Sequence, residues 1–321
     1  MTAQQTSPLD VLTVGRVSVD LYAQQVGASF TEPQTFEKSI GGSPTNVAVA
    51  AARLGLDAAV VTKVGGDPLG AYVRAKLAEF AVHTTFVGTD EHGLTPVVLA
   101  ALDPPEEPVI VFHRGSAAPD TTVTTRDVPD EVVRSCRAFW MSACALAVGT
   151  TAQASMTWLE SRQRRGHTVL DLDYRPSFWP DRDTAQRAAS RAVDLSTVVV
   201  GNRTECELAV GTGEPDAAAD ALLARGVSLA IVKMGGGGVL LADAGDRVRV
   251  PPHPIDVVCG LGAGDAFGGA LVYGLLAGWD IARIGAFANA AGAYVAARLL
   301  CSDAMPSLAQ LREFAGFTAD D

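Results

Sequence analysis

Residues 259–267 read Cys-Gly-Leu-Gly-Ala-Gly-Asp-Ala-Phe, a glycine-rich segment between an extended stretch and an apolar helix predicted over residues 265–277. Glycine lets the backbone approach an anion and turn several N–H groups towards it, and the positive end of the following helix adds to this attraction. An aspartate at such a site, here Asp265, can accept a proton from a hydroxyl that attacks a phosphoryl group. The segment therefore predicts a phosphate-binding turn with a candidate base. An ordinary glycine-rich turn with an acidic helix cap is the alternative.

Two other phosphate-binding patterns are absent from the chain. It has no GxxxxGK[ST] segment, which excludes a P-loop enzyme. The spacing Gly262-x-Gly264-x-x-Phe267 also departs from the dinucleotide pattern, which requires glycine or alanine at the last position. A nicotinamide-dependent oxidoreductase is therefore disfavoured.

On both sides of this segment, short apolar runs alternate with alanine-rich segments of helical character. The runs typical of buried strands are residues 10–15, 58–64, 138–142, 168–172 and 229–233. This alternation predicts βαβ units, and hence a mostly parallel sheet covered by helices on both faces, in one domain over residues 1–321. Residues 16–40 and 93–115 break the rhythm with β-branched and turn residues, and they predict a small β-rich flap beside the main sheet.

Polar residues follow several of the predicted strands, where ligands bind in an open parallel sheet. Asp20 follows the first strand and could hold a sugar diol. The segment Gly-Gly-Ser-Pro-Thr-Asn (41–46) enters a helix and places Asn46, a mediocre helix former, one turn inside it. The segment 171–176 ends a strand with two acids and Arg175. Each signal alone is weak, but together they predict a polar site at one edge of the sheet.

Three further segments extend this pattern in the second half of the chain. Asn202 and Glu205 have the spacing of a helix capping box, which can be purely structural. Lys233 precedes a glycine loop, residues 235–238, that could pass close to a nucleotide phosphate. Asn289 lies within a predicted helix of small apolar residues, where a buried amide needs partners.

Charge and cysteine content limit the possible partners and location. The 321 residues include 36 acidic and 25 basic residues, a formal charge of −11, which disfavours binding to nucleic acids and anionic membranes. Five scattered cysteines without a CxxC pair indicate reduced thiols. With no signal peptide or membrane span visible in the sequence, we expect a cytoplasmic protein.

These motifs, in this order, resemble the ribokinase-like sugar kinases, the phosphofructokinase B family, from Val14 to about Arg298. The most specific pieces are GGSPTN at 41–46 and GAGDAF at 262–267. The resemblance implies an α/β/α sandwich with a β-lid, which often doubles as a homodimer interface, and an enzyme that uses ATP and Mg²⁺. The implied catalytic residues are Asp265 as the base and the backbone of Gly262, Ala263 and Gly264 as the anion hole. The implied sugar-binding residues are Asp20, Gly42 and Asn46. Those implied around the nucleotide, its phosphates and, indirectly through Glu205, the magnesium ion are Asn202, Glu205, Lys233, Gly235, Gly238 and Asn289.

Within this family the chain resembles the branch that phosphorylates 5-dehydro-2-deoxygluconate, a sugar acid of inositol breakdown. The resemblance rests on segments that include Asp103-Pro104-Pro105, Phe112-x-Arg114 and residues 173–179. Arg114 and Arg175 have equivalents in the related 2-keto-3-deoxygluconate kinases, and a planar guanidinium can grip a carboxylate with two hydrogen bonds. A 2-keto-3-deoxygluconate kinase or fructokinase is the alternative, and a non-catalytic sugar or nucleotide sensor is a remote one.

Cys259 departs from the family pattern. Many members carry aspartate there, and in some relatives that carboxylate helps to hold a monovalent cation beside the anion hole. A thiol is not a hard oxygen ligand. We therefore expect little activation by potassium.

Overall fold

The computed structural model describes residues 8–115 and 117–317. The strands are β1 (Val11–Val14), β2 (Ser18–Ala23), β3 (Phe36–Gly41), β4 (Ala58–Gly65), β5 (Val87–Asp90), β6 (Val97–Ala101), β7 (Val109–His113), β8 (Ala138–Ser142), β9 (His167–Asp171), β10 (Val198–Asn202), β11 (Leu229–Lys233), β12 (Val239–Ala242) and β13 (Arg247–Val250). The α-helices are α1 (Ser43–Arg53), α2 (Pro68–Glu79), α3 (Asp130–Ser135), α4 (Gly149–Arg162), α5 (Arg182–Asp194), α6 (Arg203–Val210), α7 (Pro215–Ala224), α8 (Ala263–Leu276), α9 (Ile281–Ala296) and α10 (Leu308–Ala315).

The main sheet has nine strands in the order β13-β12-β11-β10-β9-β8-β1-β4-β5. The pairs from β11 to β5 are parallel, and β12 and β13 add an antiparallel edge. Along β1, Val11 faces one apolar cluster while Leu12 and Val14 face another, as the two-residue period of a strand requires. Helices α1, α2 and α8–α10 cover the first face, and α3–α7 cover the second. The predicted α/β/α sandwich is confirmed.

A second sheet of four strands, in the order β3-β2-β6-β7, stands apart from the main sheet. Its strands occupy residues 18–41 and 97–113, close to the two stretches that broke the α/β rhythm. The loop between β6 and β7 reaches back to the glycine-rich segment, where Gly260 N donates a hydrogen bond to Pro105 O at 2.9 Å. The small sheet therefore borders the predicted phosphate-binding turn.

Several short elements were not predicted from the sequence, among them β5, α3, β13 and α10. In β13, Arg-Val-Arg-Val, every residue is exposed or half-buried, so the segment has no buried apolar run to reveal it. The helix predicted over 281–299 ends at Ala296. Within the described residues, no helix is long and apolar enough to cross a bilayer.

Candidate active site

The glycine-rich segment forms a tight turn that ends in helix α8. Gly262 is the N-cap and has a left-handed backbone, φ +81°, which favours glycine. A Cβ at this position would lie 2.6 Å from Cys301 Sγ, so the space is also restricted to glycine. Ala263 and Gly264 begin the helix, and their N–H groups belong to its first turn, which has no intrahelical acceptors. The backbone thus presents donors and the positive helix end beside Asp265.

Asp265 is held by a chain of hydrogen bonds that starts in another part of the sequence. Asn46 Nδ2 in α1 donates to Asp265 Oδ2 at 2.7 Å, and Ser302 Oγ donates to Asn46 Oδ1 at 2.7 Å. The serine fixes which end of the Asn46 amide faces the carboxylate. Burial raises the pKa of Asp265 to about 6, against the opposing effect of the Asn46 hydrogen bond. A carboxyl with such a pKa is ionised at neutral pH and is more basic than an exposed aspartate.

Asp20 lies on β2 in the small sheet and faces the same cavity. Its carboxylate accepts a hydrogen bond from Ser18 Oγ at 2.5 Å and lies 3.2 Å from Tyr22 Oη. A Cβ on Gly41 would overlap the Asp20 carboxylate, so glycine at 41 makes room for it. Burial raises the pKa of Asp20 although these hydrogen bonds act against the increase.

Strands β9, β10 and β11 end side by side and bring four charged groups to the cavity. Lys233 Nζ lies 3.8 Å from Asp171 Oδ1. Burial raises the pKa of Asp171 to about 7, and the carboxylates of Asp173 and Glu205 act in the same direction. Burial acts to lower the pKa of Lys233, but Asp171 and Glu205 outweigh it and raise the pKa, so the ammonium group stays charged.

Asn202 and Glu205 form the capping box that their spacing predicted. Asn202 Oδ1 accepts from Glu205 N at 2.9 Å, and Glu205 Oε2 accepts from Asn202 N at 2.7 Å. Glu205 Oε1 also accepts from Tyr174 N at 3.2 Å. Each carboxylate oxygen of Glu205 thus accepts one backbone hydrogen bond, which fixes the orientation of the side chain.

The residue set fits a magnesium ion that arrives with a nucleotide. Mg²⁺ keeps several waters and binds through one or two carboxylates together with phosphate oxygens. Asp171 Oδ1 is buried, lies 3.8 Å from Lys233 Nζ and makes no hydrogen bond to the described residues, so it keeps lone pairs for an ion. The described ranges contain no group of three or more His, Cys, Asp or Glu side chains that could cage a metal without phosphates.

Three cavities lie along this edge of the molecule, and the central one adjoins each of the other two. The central one, about 220 Å³, contains ten predicted site residues: Asp20, Gly42, Asn46, Arg175, Asn202, Glu205, Lys233, Gly262, Gly264 and Asp265. A second, about 480 Å³, contains Gly235, Gly238, Ala263 and Asn289 and shares Lys233 and Gly264 with the first. A third, about 500 Å³, shares Arg16, Ile110 and Phe112 with the central cavity. We call them the central, glycine-loop and lateral cavities.

The glycine-loop cavity has an apolar lining with a few fixed polar atoms. Asn289 Nδ2 donates to Pro251 O at 2.7 Å, which satisfies part of the amide. Gly235 and Gly238 have left-handed backbones, φ +56° and +82°, and they shape the loop after β11. His253 also contributes to the wall and packs on Phe314, with ring centroids 4.7 Å apart. An apolar cavity that opens onto Lys233 and the α8 N-terminus suits a base with attached phosphates.

The two predicted carboxylate-binding arginines do not meet in one cavity. Arg175 faces the central cavity and its Nε donates to Asp173 Oδ1 at 3.0 Å. Arg114 instead lines the lateral cavity, where its guanidinium donates to Asp120 Oδ1 at 2.7 Å. Phe112 lines both cavities, whereas Arg114 follows the end of β7 and is held in the lateral cavity by its ion pair with Asp120.

Three charged residues of the central cavity were not predicted as site residues. Asp171 and Asp173 belong to a segment that was noticed, but only Arg175 was selected from it. Arg16 lies two residues after the end of β1, and the sequence motifs did not single it out. The available sequence signal for Arg16 was an arginine just after an apolar run predicted to be a strand.

Comparisons with known proteins agree with this geometry. The model of the pfkB family carbohydrate kinases matches residues 9–308. The 5-dehydro-2-deoxygluconokinase of Clostridium tetani is 28% identical over 97% of this chain and 94% of its own length. That of Geobacillus thermodenitrificans is 29% identical, with the same shares of each chain covered.

Solved structures share the fold. A fructokinase from Xylella fastidiosa with bound ATP has a TM-score of 0.82 at 23% identity and covers 96% of this chain and 98% of its own. A fructokinase from Vibrio cholerae with bound fructose, ADP and calcium has a TM-score of 0.83 at 25% identity, with 96% and 99% covered. Because the family model spans residues 9–308, nearly the whole chain, the chain belongs to the pfkB family of carbohydrate kinases.

Proposed function

We propose that the protein transfers the γ-phosphoryl group of ATP to the terminal hydroxyl of a sugar acid, with 5-dehydro-2-deoxygluconate as the first candidate. The observation that carries the proposal is the junction of the central and glycine-loop cavities at Lys233 and Gly264. At this junction a hydroxyl beside Asp265 and a phosphate beside the α8 N-terminus can approach each other.

In this proposal Asp265 removes the proton from the attacking hydroxyl. Its pKa of about 6 keeps it ionised at neutral pH, and Asn46 holds its orientation. The N–H groups of residues 262–264 and the Lys233 ammonium receive the negative charge that spreads over the transferred group. Asp20, Gly42 and Asn46 bind the hydroxyls of the sugar.

The nucleotide occupies the glycine-loop cavity, bordered by Gly235, Gly238 and Asn289. Asn202 and Glu205 lie on the phosphate side and hold the hydration shell of Mg²⁺ through water, with Asp171 as an additional oxygen donor. The bound ion would neutralise phosphate charge and orient the γ-phosphate. Because Glu205 is already fixed by Asn202 N and Tyr174 N, it can position water without moving.

Two observations support an acidic rather than a neutral sugar. Three cationic side chains, Arg16, Arg175 and Lys233, line the central cavity beside five carboxylates, and Arg16 Nε has no hydrogen-bond partner among the described residues. The C. tetani and G. thermodenitrificans relatives are named for a sugar-acid substrate, at 28% and 29% identity. A 2-keto-3-deoxygluconate kinase fits the same charges, and a fructokinase fits the fold.

An ADP-release assay with a panel of acceptors decides among these substrates. We expect the highest kcat/KM for 5-dehydro-2-deoxygluconate, followed by 2-keto-3-deoxygluconate, with fructose and ribose well below. A preference for fructose would replace the proposal with a fructokinase. Absence of ADP release with every acceptor would favour a non-catalytic sensor.

The proposal includes a cytoplasmic homodimer. The five cysteines are buried and free, in keeping with a reducing compartment. On the small sheet Phe36, Val109 and Val111 are 37%, 49% and 38% exposed, an apolar face that a second copy of the chain would cover. Light scattering after size exclusion should give twice the 33.3 kDa chain mass, and a monomer would refute this part.

A further inference from the structure

Arg16 stands out among the charged side chains of the central cavity because its hydrogen-bond donors are not used. It is only 8% exposed, and its Nε is buried without a hydrogen-bond partner among the described residues. A buried polar group without a partner costs free energy and is uncommon in native structures. The protein therefore carries a buried, charged donor that faces a ligand cavity and has no protein acceptor in the described ranges.

The position of Arg16 is fixed although its side-chain donors make no hydrogen bond to the described residues. Thr45 Oγ1 donates to Arg16 O at 2.9 Å, and a Cβ on Gly42 would lie 2.4 Å from the same oxygen. The guanidinium lies over two rings, 4.9 Å from the centroid of Phe178 and 5.6 Å from that of Phe112. These two cation–π contacts help to hold the guanidinium in place without using its N–H donors.

The other two cations of the central cavity already have partners. Arg175 donates from Nε to Asp173 Oδ1 at 3.0 Å, and Lys233 Nζ lies 3.8 Å from Asp171 Oδ1. Arg16 acts electrostatically on Asp20, Asp120 and Asp173 but makes no hydrogen bond to them in the described residues. These acids offset the positive charge of Arg16, so the guanidinium can remain buried with its N–H donors available to a ligand.

The order of the cavities indicates which end of a substrate Arg16 would meet. The central cavity shares Lys233 and Gly264 with the glycine-loop cavity, and it shares Arg16, Ile110 and Phe112 with the lateral cavity. The lateral and glycine-loop cavities share no lining residue. The accepting hydroxyl must therefore lie on the Gly264 side, next to Asp265, and the opposite end of the sugar lies on the Arg16 side.

We propose that Arg16 binds the carboxylate of the sugar-acid substrate and thereby sets the preference for acids over neutral sugars. This inference rests on the proposed function, since it requires an acidic acceptor. Arg175 lies in the same cavity and serves as a second cation, whereas Arg114 is committed to Asp120. A carboxylate in the plane of the Arg16 guanidinium can take two parallel hydrogen bonds.

The test compares one sugar acid with its carboxamide, which has the same size but no charge. For Arg16→Gln we expect kcat/KM for the acid to fall about 10- to 100-fold, the scale of a hydrogen bond to a charged group. The carboxamide should lose far less. Arg16→Lys keeps the positive charge but cannot make the two parallel hydrogen bonds of a guanidinium, so it should retain part of the preference for the acid.

Arg283→Gln is the matched control. Arg283 also lies over aromatic rings, Trp279 at 4.0 Å and Phe317 at 6.0 Å, and it also has buried nitrogens without partners in the described residues. It lines none of the three cavities, so its loss should leave the ratio of acid to carboxamide unchanged. Thermal melting of all variants shows whether each one folds.

The outcomes separate the inference from the proposed function. A wild-type enzyme that uses the carboxamide as well as the acid refutes the sugar-acid function and the role of Arg16 with it. A wild-type preference for the acid that Arg16→Gln preserves refutes the role of Arg16 alone. If Arg16→Gln does not fold, Arg16→Lys serves as the test. An unchanged ratio of kcat/KM for the acid to that for the carboxamide in Arg16→Lys also overturns the inference.

Discussion

At the scale of single residues, Asp265 combines a raised pKa with a fixed orientation. Replacing it with asparagine keeps the size of the side chain but removes its basicity. We expect Asp265→Asn to lower turnover by about 10²–10⁴, the usual contribution of a general base. Binding of ATP, measured by calorimetry, should change little because the base contacts the acceptor. A variant with near-normal turnover would exclude Asp265 as the base.

The pKa of Asp265 also predicts the pH dependence of the enzyme. The base works only when ionised, so kcat/KM should fall below a pH of about 6, where the carboxyl is protonated, and should level off above it. A kcat/KM profile from pH 5 to 8 measures this limb. The residual activity of Asp265→Asn should not show it, because the titrating group is gone. A flat profile in the wild-type enzyme would contradict the assignment.

Cys259 leads to a prediction about monovalent cations. Its side chain is buried, and burial raises the pKa of the thiol, so at neutral pH it offers no negative charge to a hard cation. Exchange of potassium for tetramethylammonium at constant ionic strength should therefore change turnover little. A large, saturable activation by potassium would mean that other groups, such as backbone carbonyls, form the cation site.

At the scale of elements, helix α8 depends on a glycine at each end. Gly262 and Gly278 both have left-handed backbones, φ +81° and +69°, but only Gly262 is crowded, with Cys301 Sγ in the space of a Cβ. In Gly278→Ala the backbone conformation alone should cost about 1–2 kcal/mol. Gly262→Ala should cost more in urea unfolding and should also lower turnover, because the turn that presents the N–H groups must shift. Equal losses in both variants would show that the contact with Cys301 is unimportant.

Among the secondary-structure elements, those fixed by neighbouring residues could be predicted from the sequence. The capping box of Asn202 and Glu205 depends on residues three positions apart, and the glycines of the turn before α8 are close together in the sequence, so both patterns could be predicted. The spacing alone did not reveal that Glu205 also receives Tyr174 N, since that bond joins residues 31 positions apart. Short elements such as β13 were missed because they bury little apolar surface.

At the scale of the whole molecule, parallel strands explain why separate motifs could be assigned to one site. Residues that follow β9, β10 and β11 lie at the same edge of the sheet, and this rule holds without knowledge of side-chain packing. The same rule could not predict which arginine is available to bind a carboxylate. Whether Arg114, Arg175 or Arg16 is free for a carboxylate depends on Asp120, Asp173 and two aromatic rings that come from distant parts of the chain.

The central claim is that a hydroxyl beside Asp265 receives the γ-phosphoryl group of ATP at the end of a sugar acid. The most direct measurement is proton-coupled ³¹P NMR of a reaction of 5-dehydro-2-deoxygluconate with ATP and Mg²⁺. We predict a new phosphomonoester whose phosphorus couples to two protons of a terminal CH₂ group, formed in equal amount to ADP and strongly reduced with Asp265→Asn. ADP formed together with inorganic phosphate, or a phosphoester that couples to a single proton of a secondary carbon, would contradict the account.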